Sequence, residues 1–207
     1  PVPFTLGWEA AGVISAAPDD SRFKEGEEVV TLTLGSFAEK VAAVPEATFP
    51  KPPGLSWEQA AAFPMNYLTA LAGLQRRGRL REDETVLVHG AAGGTGTAAI
   101  QVAKSLGARV IGVVSGDAKE MVARAAGADE VFRSDGPWKD EVVEISGGGV
   151  DLVFDPVGGE RFTDSLRSLR TEGRVVVVGF SEGSIPEVKV NRLLMHNTEV
   201  SGCSRSV

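Results

Sequence analysis

Apolar residues change their spacing near residue 84, and this change divides the chain into two parts. From residue 84 onward, short runs of Val, Leu and Ile alternate with segments whose apolar residues recur at helical spacing. The predicted strands are Thr85–His89, Arg109–Val114, Glu130–Phe132, Val150–Asp155 and Arg174–Gly179, and the predicted helices are 95–106, 117–126, 138–145 and 160–169. Because repeated strand–helix–strand units form parallel sheets with helices on both faces, this part predicts an α/β fold with a doubly wound, Rossmann-type sheet.

The part before residue 84 has a different pattern. Its strand candidates are short and irregularly spaced, as in a small barrel or sandwich: Gly12–Ser15, Glu28–Leu32 and Phe37–Ala42. Prolines then interrupt the chain, and Ser56 is placed to cap a helix. We therefore predict a β-rich domain over residues 1–62 and a Rossmann domain over residues 63–207.

The segment that follows the first strand of the Rossmann domain is rich in glycine. It runs from strand to turn to helix, and the pattern G-x-G-x-x-G aligns with residues 91–96, where Ala91 takes the first place. Small residues let backbone N–H groups approach a diphosphate, and the following helix contributes its positive end. The residues predicted to contact the diphosphate are Ala92, Gly93, Gly94, Thr95 and Gly96. The alternative is a flexible glycine-rich turn that binds nothing, but this alternative does not explain the five apolar strands around the turn.

The end of the second Rossmann strand indicates which dinucleotide binds. NAD sites usually carry an acidic residue there, whereas this strand ends in Val114 and Ser115. Asp117 lies a little further on, and we interpret it as the cap of a helix that begins at residue 118. Ser115, Lys119 and Arg133 together suit a 2′-phosphate and favour NADPH, although each cation alone is equally consistent with a solvated surface.

Composition and charge narrow the classes of function. The 207 residues include 21 Lys and Arg against 28 Asp and Glu, so the net charge is −7, which argues against a nucleic-acid or anionic-membrane partner. No apolar run is long enough to suggest a membrane span. Cys203 is the single cysteine, which excludes an internal disulfide and a thiolate zinc cage and favours the cytoplasm. The chain opens at Pro1 without Met, and we expect it to be a fragment of a longer protein.

Four phrases of the sequence, taken in order, resemble one known family. They are GWEAAG at 7–12, AAFPMNYLTA at 61–70, VHGAAGGTG at 88–96 and DPVGG at 155–159. Almost the whole chain resembles the zinc-independent quinone oxidoreductases of the medium-chain dehydrogenase/reductase superfamily. The resemblance implies a GroES-like catalytic domain split around the cofactor domain, with the active site in the cleft. By this reading the first strands and the C-terminal segment of the catalytic domain are missing, so the GroES-like domain is incomplete.

The resemblance also implies a reaction. Hydride would pass from NADPH to a quinone or an α,β-unsaturated carbonyl. No metal would take part, because Trp8 stands where zinc-dependent relatives place a histidine ligand. Tyr67 and Asn66 would stand beside the nicotinamide, where Tyr67 would donate a hydrogen bond to the carbonyl or relay a proton. A plain buried aromatic remains the alternative for Tyr67.

The resemblance assigns further residues to the cofactor. Thr69 would contact the nicotinamide amide or a phosphate, and backbone at Val157, Gly179 and Phe180 would line the adenosine and nicotinamide halves. The strand-like stretch that ends at Gly202 would pair with a second copy of the chain, which predicts a homodimer.

Three other functions would also use a glycine-rich turn of this kind. A short-chain dehydrogenase needs Y-x-x-x-K after the cofactor motif, but the single Tyr precedes it and Leu71 stands at the fourth position after it. A methyltransferase usually has an acidic residue at the end of its second strand, where Asp117 is the single candidate. A non-catalytic NADPH-binding module stays open, because the catalytic domain is incomplete.

Overall fold

The computed structural model describes residues 3–204 and contains a three-stranded and a six-stranded sheet. The chain divides into two compact units between Asn66 and Tyr67. None of the helices formed by the described residues combines the length and hydropathy that a membrane crossing requires.

The first unit is built on a small antiparallel sheet. Its strands are β1 (Glu9–Val13), β2 (Glu28–Leu32) and β3 (Thr48–Pro50), in that order across the sheet. The predicted strand at Phe37–Ala42 is wrong, since residues 37–40 form bends and residues 41–42 have no regular secondary structure. Phe37 is 75% exposed, so this segment has no buried face to hold it in a sheet. The third strand begins instead at Thr48, whose buried hydroxyl lies 2.8 Å from that of Thr31 on β2.

Two helices follow the small sheet along the chain. Helix α1 (Trp57–Ala61) begins with a capping box, in which the Ser56 hydroxyl accepts from Gln59 N and the Gln59 side chain accepts from Ser56 N. Helix α2 (Phe63–Leu71) carries a proline in its first turn, where no intrahelical N–H is needed. The helix continues as a π-helical segment over Ala72–Arg77.

The second unit is a parallel sheet with the strand order β6-β5-β4-β7-β8-β9. Its strands are β4 (Thr85–His89), β5 (Arg109–Val114), β6 (Glu130–Arg133), β7 (Val150–Asp155), β8 (Leu169–Val177) and β9 (Glu199–Gly202). Its helices are α3 (Gly94–Ser105), α4 (Asp117–Ala125), α5 (Trp138–Ile145), α6 (Phe162–Arg167) and α7 (Asn191–His196). The strand order reverses between β4 and β7, the place where open α/β sheets bind their ligands.

Both faces of this sheet are covered, as its Val-rich strands require. Along β4, Val86 and Val88 pack with side chains of α3 and α4, while Leu87 packs on the opposite face with side chains of α5 and α6. The predicted α/β fold class, a Rossmann-type sheet accompanied by a smaller β-rich unit, is confirmed.

The amino ends of the strands are held by a buried arginine. Arg174 on β8 is 8% exposed, and its Nη1 and Nη2 lie 3.0 and 2.6 Å from the two carboxylate oxygens of Glu84. The same guanidinium donates to the backbone carbonyls of Gly78, Arg79 and Asp151. Burial acts to raise the pKa of Glu84, but the hydrogen bonds from Arg174 hold it below its usual value.

Candidate functional site

The glycine-rich turn after β4 is folded too tightly to hold larger residues. Gly90 has a φ of +59°, and its carbonyl oxygen accepts a hydrogen bond of 2.9 Å from Gly93 N. A Cβ on Gly96 would lie 2.1 Å from that same carbonyl oxygen. The turn therefore needs glycine at position 96, where the first turn of α3 passes over the backbone of residue 90.

The turn leads directly into α3, a helix of 12 residues whose first residue is Gly94. Gly93 is its N-cap and no side chain caps this end, so the first turn offers backbone N–H groups and the positive end of the helix dipole to an anion. Ala91, which takes the first place of the motif, is fully buried, and its N–H donates to Val113 O at 3.2 Å. The predicted diphosphate contacts, Ala92 to Gly96, all lie in this turn or the first turn of α3.

A second turn lies beside the first. Asp155 ends β7, and its Oδ1 accepts hydrogen bonds of 2.8 and 2.9 Å from Val157 N and Gly158 N. The carbonyl of Asp155 also accepts from Gly179 N at 3.4 Å, which brings Val157 and Gly179 together. A Cβ on Gly158 would lie 2.9 Å from Phe180, and one on Gly90 would lie 3.2 Å from Val157. The predicted Val157, Gly179 and Phe180 are therefore neighbours at the carboxyl edge of the sheet, next to the glycine-rich turn.

The three predicted 2′-phosphate residues follow β5 and end β6. Lys119 Nζ donates to Ser115 Oγ at 2.8 Å. Arg133 stands in register with the last residue of β5, and its Nη1 and Nη2 pair with the carboxylates of Asp117 and Asp135. The expectation that Asp117 caps α4 is wrong, since Gly116 is the N-cap and Asp117 is the first helical residue.

A buried polar pair lies beneath the two turns. His89 and Asp155 end the neighbouring strands β4 and β7, and both are fully buried. His89 Nε2 lies 2.8 Å from Ser165 Oγ, and this hydroxyl donates to Arg161 O, so Nε2 carries the hydrogen. Within residues 3–204, His89 Nδ1 and Asp155 Oδ2 have no hydrogen-bond partner. Burial lowers the pKa of His89 to about 4, against the opposing attraction of Asp155.

The predicted catalytic residues lie on α2. The Tyr67 hydroxyl donates to Gln101 Oε1 on α3, and Asn66 Nδ2 donates to Ala62 O at 2.8 Å. Thr69 is half-buried on the same helix. The structure thus shows Tyr67 linking α2 to the helix that follows the glycine-rich turn.

In the first unit, Glu9 holds the beginning of α2. Its Oε2 accepts a hydrogen bond of 2.8 Å from Met65 N, in the first turn of the helix. Partial burial raises the pKa of Glu9, and the bond from Met65 opposes this shift. Among residues 3–204, no group of three or more His, Cys, Asp or Glu side chains could hold a metal ion.

Comparison with known proteins places these features in a family. Residues 94–207 match the family model described as zinc-binding dehydrogenase. The chain belongs to this family. It is 41% identical to quinone oxidoreductase-like protein 2 of Rattus norvegicus, over 98% of the chain and 59% of the rat protein. The predicted membership of the quinone oxidoreductase branch of the medium-chain dehydrogenase/reductase superfamily is confirmed.

Solved structures agree with this assignment. A probable oxidoreductase from Mycobacterium abscessus is 44% identical with a TM-score of 0.87, and it matches 99% of this chain and 62% of its own. Quinone oxidoreductase of Escherichia coli, solved as a complex with NADPH, is 33% identical with a TM-score of 0.89, over 98% of this chain and 64% of its own. The chain therefore spans about three fifths of the length of the relatives that it matches.

The sequence reasoning missed the link between His89 and Ser165. The sequence predicts His89 as the last residue of a strand, but Ser165 lies 76 positions further on and belongs to no recognisable motif. The signal that was available is positional, because a polar residue that ends a central parallel strand faces the ligand-binding edge.

Proposed function

We propose that this protein is an NADPH-dependent oxidoreductase that transfers hydride to a quinone or an α,β-unsaturated carbonyl without zinc. The observation that carries the proposal is the close approach of Gly96 to the carbonyl of Gly90, which opens the uncapped end of α3 to a diphosphate. The NADPH complex of the Escherichia coli quinone oxidoreductase supports the choice of cofactor. Relatives named as quinone oxidoreductases favour an enzyme over a non-catalytic binding module.

The residues of the second unit fit such a cofactor in three places. The turn from Ala92 to Gly96 holds the diphosphate through backbone N–H groups. Ser115, Lys119 and Arg133 supply a hydroxyl and two cations for a 2′-phosphate, the feature that separates NADPH from NADH. The backbone at Val157, Gly179 and Phe180 lines the adenosine and nicotinamide halves of the cofactor. When bound, the cofactor supplies the hydride, and the protein supplies its position.

We assign the substrate contacts to α2. Tyr67 donates a hydrogen bond to the substrate oxygen, for which its hydroxyl exchanges Gln101 for the substrate. Asn66 stands next to it in the chain, and Thr69, two positions after Tyr67, contacts the nicotinamide amide or a phosphate. Hydride transfer to the acceptor needs no metal in this proposal, because hydrogen bonds stabilise the developing oxyanion in place of a Lewis acid.

Two observations support a reaction without zinc. Trp8 occupies the place that holds a histidine ligand in zinc-dependent relatives, and an indole ring offers no metal-binding lone pair. His89 is buried and bonded to Ser165 rather than directed at an open cavity. We further propose a homodimer formed through β9, the outermost strand of the described sheet, and a cytoplasmic location. The predicted domains, residues 1–62 and 63–207, remain our proposal for the catalytic and cofactor parts.

The proposal is tested by binding and by turnover. We expect the wild-type chain to bind NADPH in a fluorescence titration and to oxidise it in the presence of 9,10-phenanthrenequinone, with no loss of activity after dialysis against EDTA. The variant Gly96→Ala should lose at least about a hundredfold in NADPH affinity, because the new methyl group displaces the backbone of the turn. Gly12→Ala is the matched control, since a Cβ there meets nothing within 4 Å and Gly12 lies on β1 in the first unit.

Either of two results would overturn the proposal. A folded wild-type chain that binds no NADPH would remove the cofactor assignment. Tight NADPH binding without turnover on quinones or enones would leave the non-catalytic module as the function.

A further inference from the structure

One of the two cations assigned to the 2′-phosphate, Arg133, already has anionic partners within the protein. Arg133 donates through Nη1 to Asp117 and through Nη2 to Asp135, at 3.0 Å in the second case. Lys119, in contrast, is hydrogen-bonded to the neutral hydroxyl of Ser115. Two cations, Lys119 and Arg133, therefore lie in the same region as two carboxylates, Asp117 and Asp135, and the formal charges of the four side chains sum to zero in the free protein.

The two carboxylates are exposed and Arg133 is less so. The side chains of Asp117 and Asp135 are 92% and 69% exposed, against 38% for Arg133. The Nε atom of Arg133 is buried and has no hydrogen-bond partner among the described residues. Exposed ion pairs contribute little to stability, and a phosphate dianion binds a guanidinium more strongly than one carboxylate does. A phosphate can therefore take the place of either carboxylate on Arg133 at small cost.

Asp117 differs from Asp135 in its position in the fold. It is the first residue of α4, three positions after the end of β5 and 21 positions after Gly96, which is about the spacing at which dinucleotide-binding folds carry the acidic residue that accepts a bond from the ribose 2′-OH. Asp135 follows β6 and has no such place. One carboxylate, that of Asp117, is thus positioned both to oppose a 2′-phosphate and to accept from a 2′-hydroxyl.

We infer that Asp117 is a specificity-determining residue that narrows the preference of the protein for NADPH over NADH. In the free protein the Asp117 carboxylate pairs with Arg133. When NADPH binds, Arg133 pairs with the 2′-phosphate instead of with Asp117. When NADH binds, the Asp117 carboxylate accepts a hydrogen bond from the ribose 2′-hydroxyl. The inference rests on the proposed function, and it adds that the chain accepts both cofactors with a modest preference.

The test is the ratio of the two dissociation constants. NADPH and NADH are titrated by fluorescence into the wild-type chain and into Asp117→Asn, at fixed low ionic strength. We expect Asp117→Asn to bind NADPH about threefold to tenfold more tightly and NADH about twofold to threefold more weakly, because a like charge is removed and the charged acceptor becomes a neutral amide oxygen. Asp135→Asn should tighten NADPH binding without weakening NADH binding.

Asp140→Asn is the control for charge alone. Asp140 belongs to the same unit and pairs with Lys139 at 2.7 Å rather than with Arg133, so it should leave the ratio within about twofold. A thermal melt of each variant shows that α4 is retained. An unchanged ratio in Asp117→Asn, or the same change in Asp140→Asn, would overturn the inference, while NADPH binding and turnover by the wild type would uphold the proposed function. If the wild type binds neither cofactor, both the proposed function and the inference fail.

Discussion

The two ends of the six-stranded sheet are built in opposite ways. At the amino ends, Arg174 satisfies Glu84 and three backbone carbonyls, and Asp151 accepts from Thr85 N at 2.8 Å. At the carboxyl ends, β4 and β7 finish in buried polar side chains that keep acceptor atoms without partners in the described residues, and glycines replace side chains in the adjoining turns.

This difference separates stability from binding. Buried polar groups stabilise a fold only when they are fully hydrogen-bonded, and Arg174 and Glu84 meet this condition at the amino ends. Turns that must approach a ligand closely have no side chains to pack, so they depend on the sheet beneath them. A substitution at one end should therefore alter unfolding, and a substitution at the other should alter cofactor affinity.

The largest expected effect is at the amino ends. Arg174→Met should lower the free energy of unfolding by about 3–5 kcal/mol, because Glu84 is left as a buried charge without its partner. Chemical denaturation measures this loss, and NADPH affinity should stay within about twofold. Arg167→Met removes an exposed pair with Asp164 and should cost under about 1 kcal/mol. Equal losses in the two variants would contradict the role given to Arg174.

A smaller effect is expected at the carboxyl ends. There, buried His89 should make the free energy of unfolding depend on pH. Its pKa is lowered to about 4 by burial, so on acidification the unfolded chain gains a proton before the folded chain does. The free energy of unfolding should thus fall as the pH falls from about 6.5 to 4, by about 3 kcal/mol in total for this group.

Denaturation midpoints measured across this pH range check the expectation. His89→Gln should be less stable at neutral pH but should flatten the pH dependence. His196→Gln is the matched control, since His196 is exposed on α7 and its loss should keep the pH dependence of the wild type. A slope that survives in His89→Gln would show that His89 is not responsible for the pH dependence.

The smallest expected effect concerns binding alone. Lys119→Ala should weaken NADPH binding about tenfold, which is about 1.4 kcal/mol, and should leave NADH binding and the unfolding midpoint unchanged. Lys104→Ala removes the same charge from the end of α3, where Lys104 pairs with Asp129 at 2.8 Å, and should not alter NADPH affinity. Loss of affinity for both cofactors in Lys119→Ala would place the lysine outside a 2′-phosphate site.

The sequence predicted the second unit better than the first for a physical reason. Strands β4, β5 and β7 are buried on both faces, so their Val-rich runs end where burial ends, and their bounds match the prediction. In the first unit, strand β3 has three residues and one buried position, which is too little pattern to distinguish it from the exposed segment at Phe37.

The candidate site divides in the same way. The glycine-rich turn could be read from the sequence because its backbone geometry restricts residue types. The partners of His89 and Arg133 could not, since they depend on pairs of side chains from separate strands and helices that only the folded sheet brings together.

The pairing of β4 with β7 also has a consequence for the order of folding. The contact from Thr85 to Asp151 closes a chain separation of 66 residues, whereas β4 meets β5 across the much shorter α3 connection. Long separations lose more chain entropy on closing, so the β4–α3–β5 unit should assemble early and β7 should dock late. The two turns beside Gly90 and Asp155 then become neighbours only in the last stage of folding, and no partly folded form presents a finished cofactor surface.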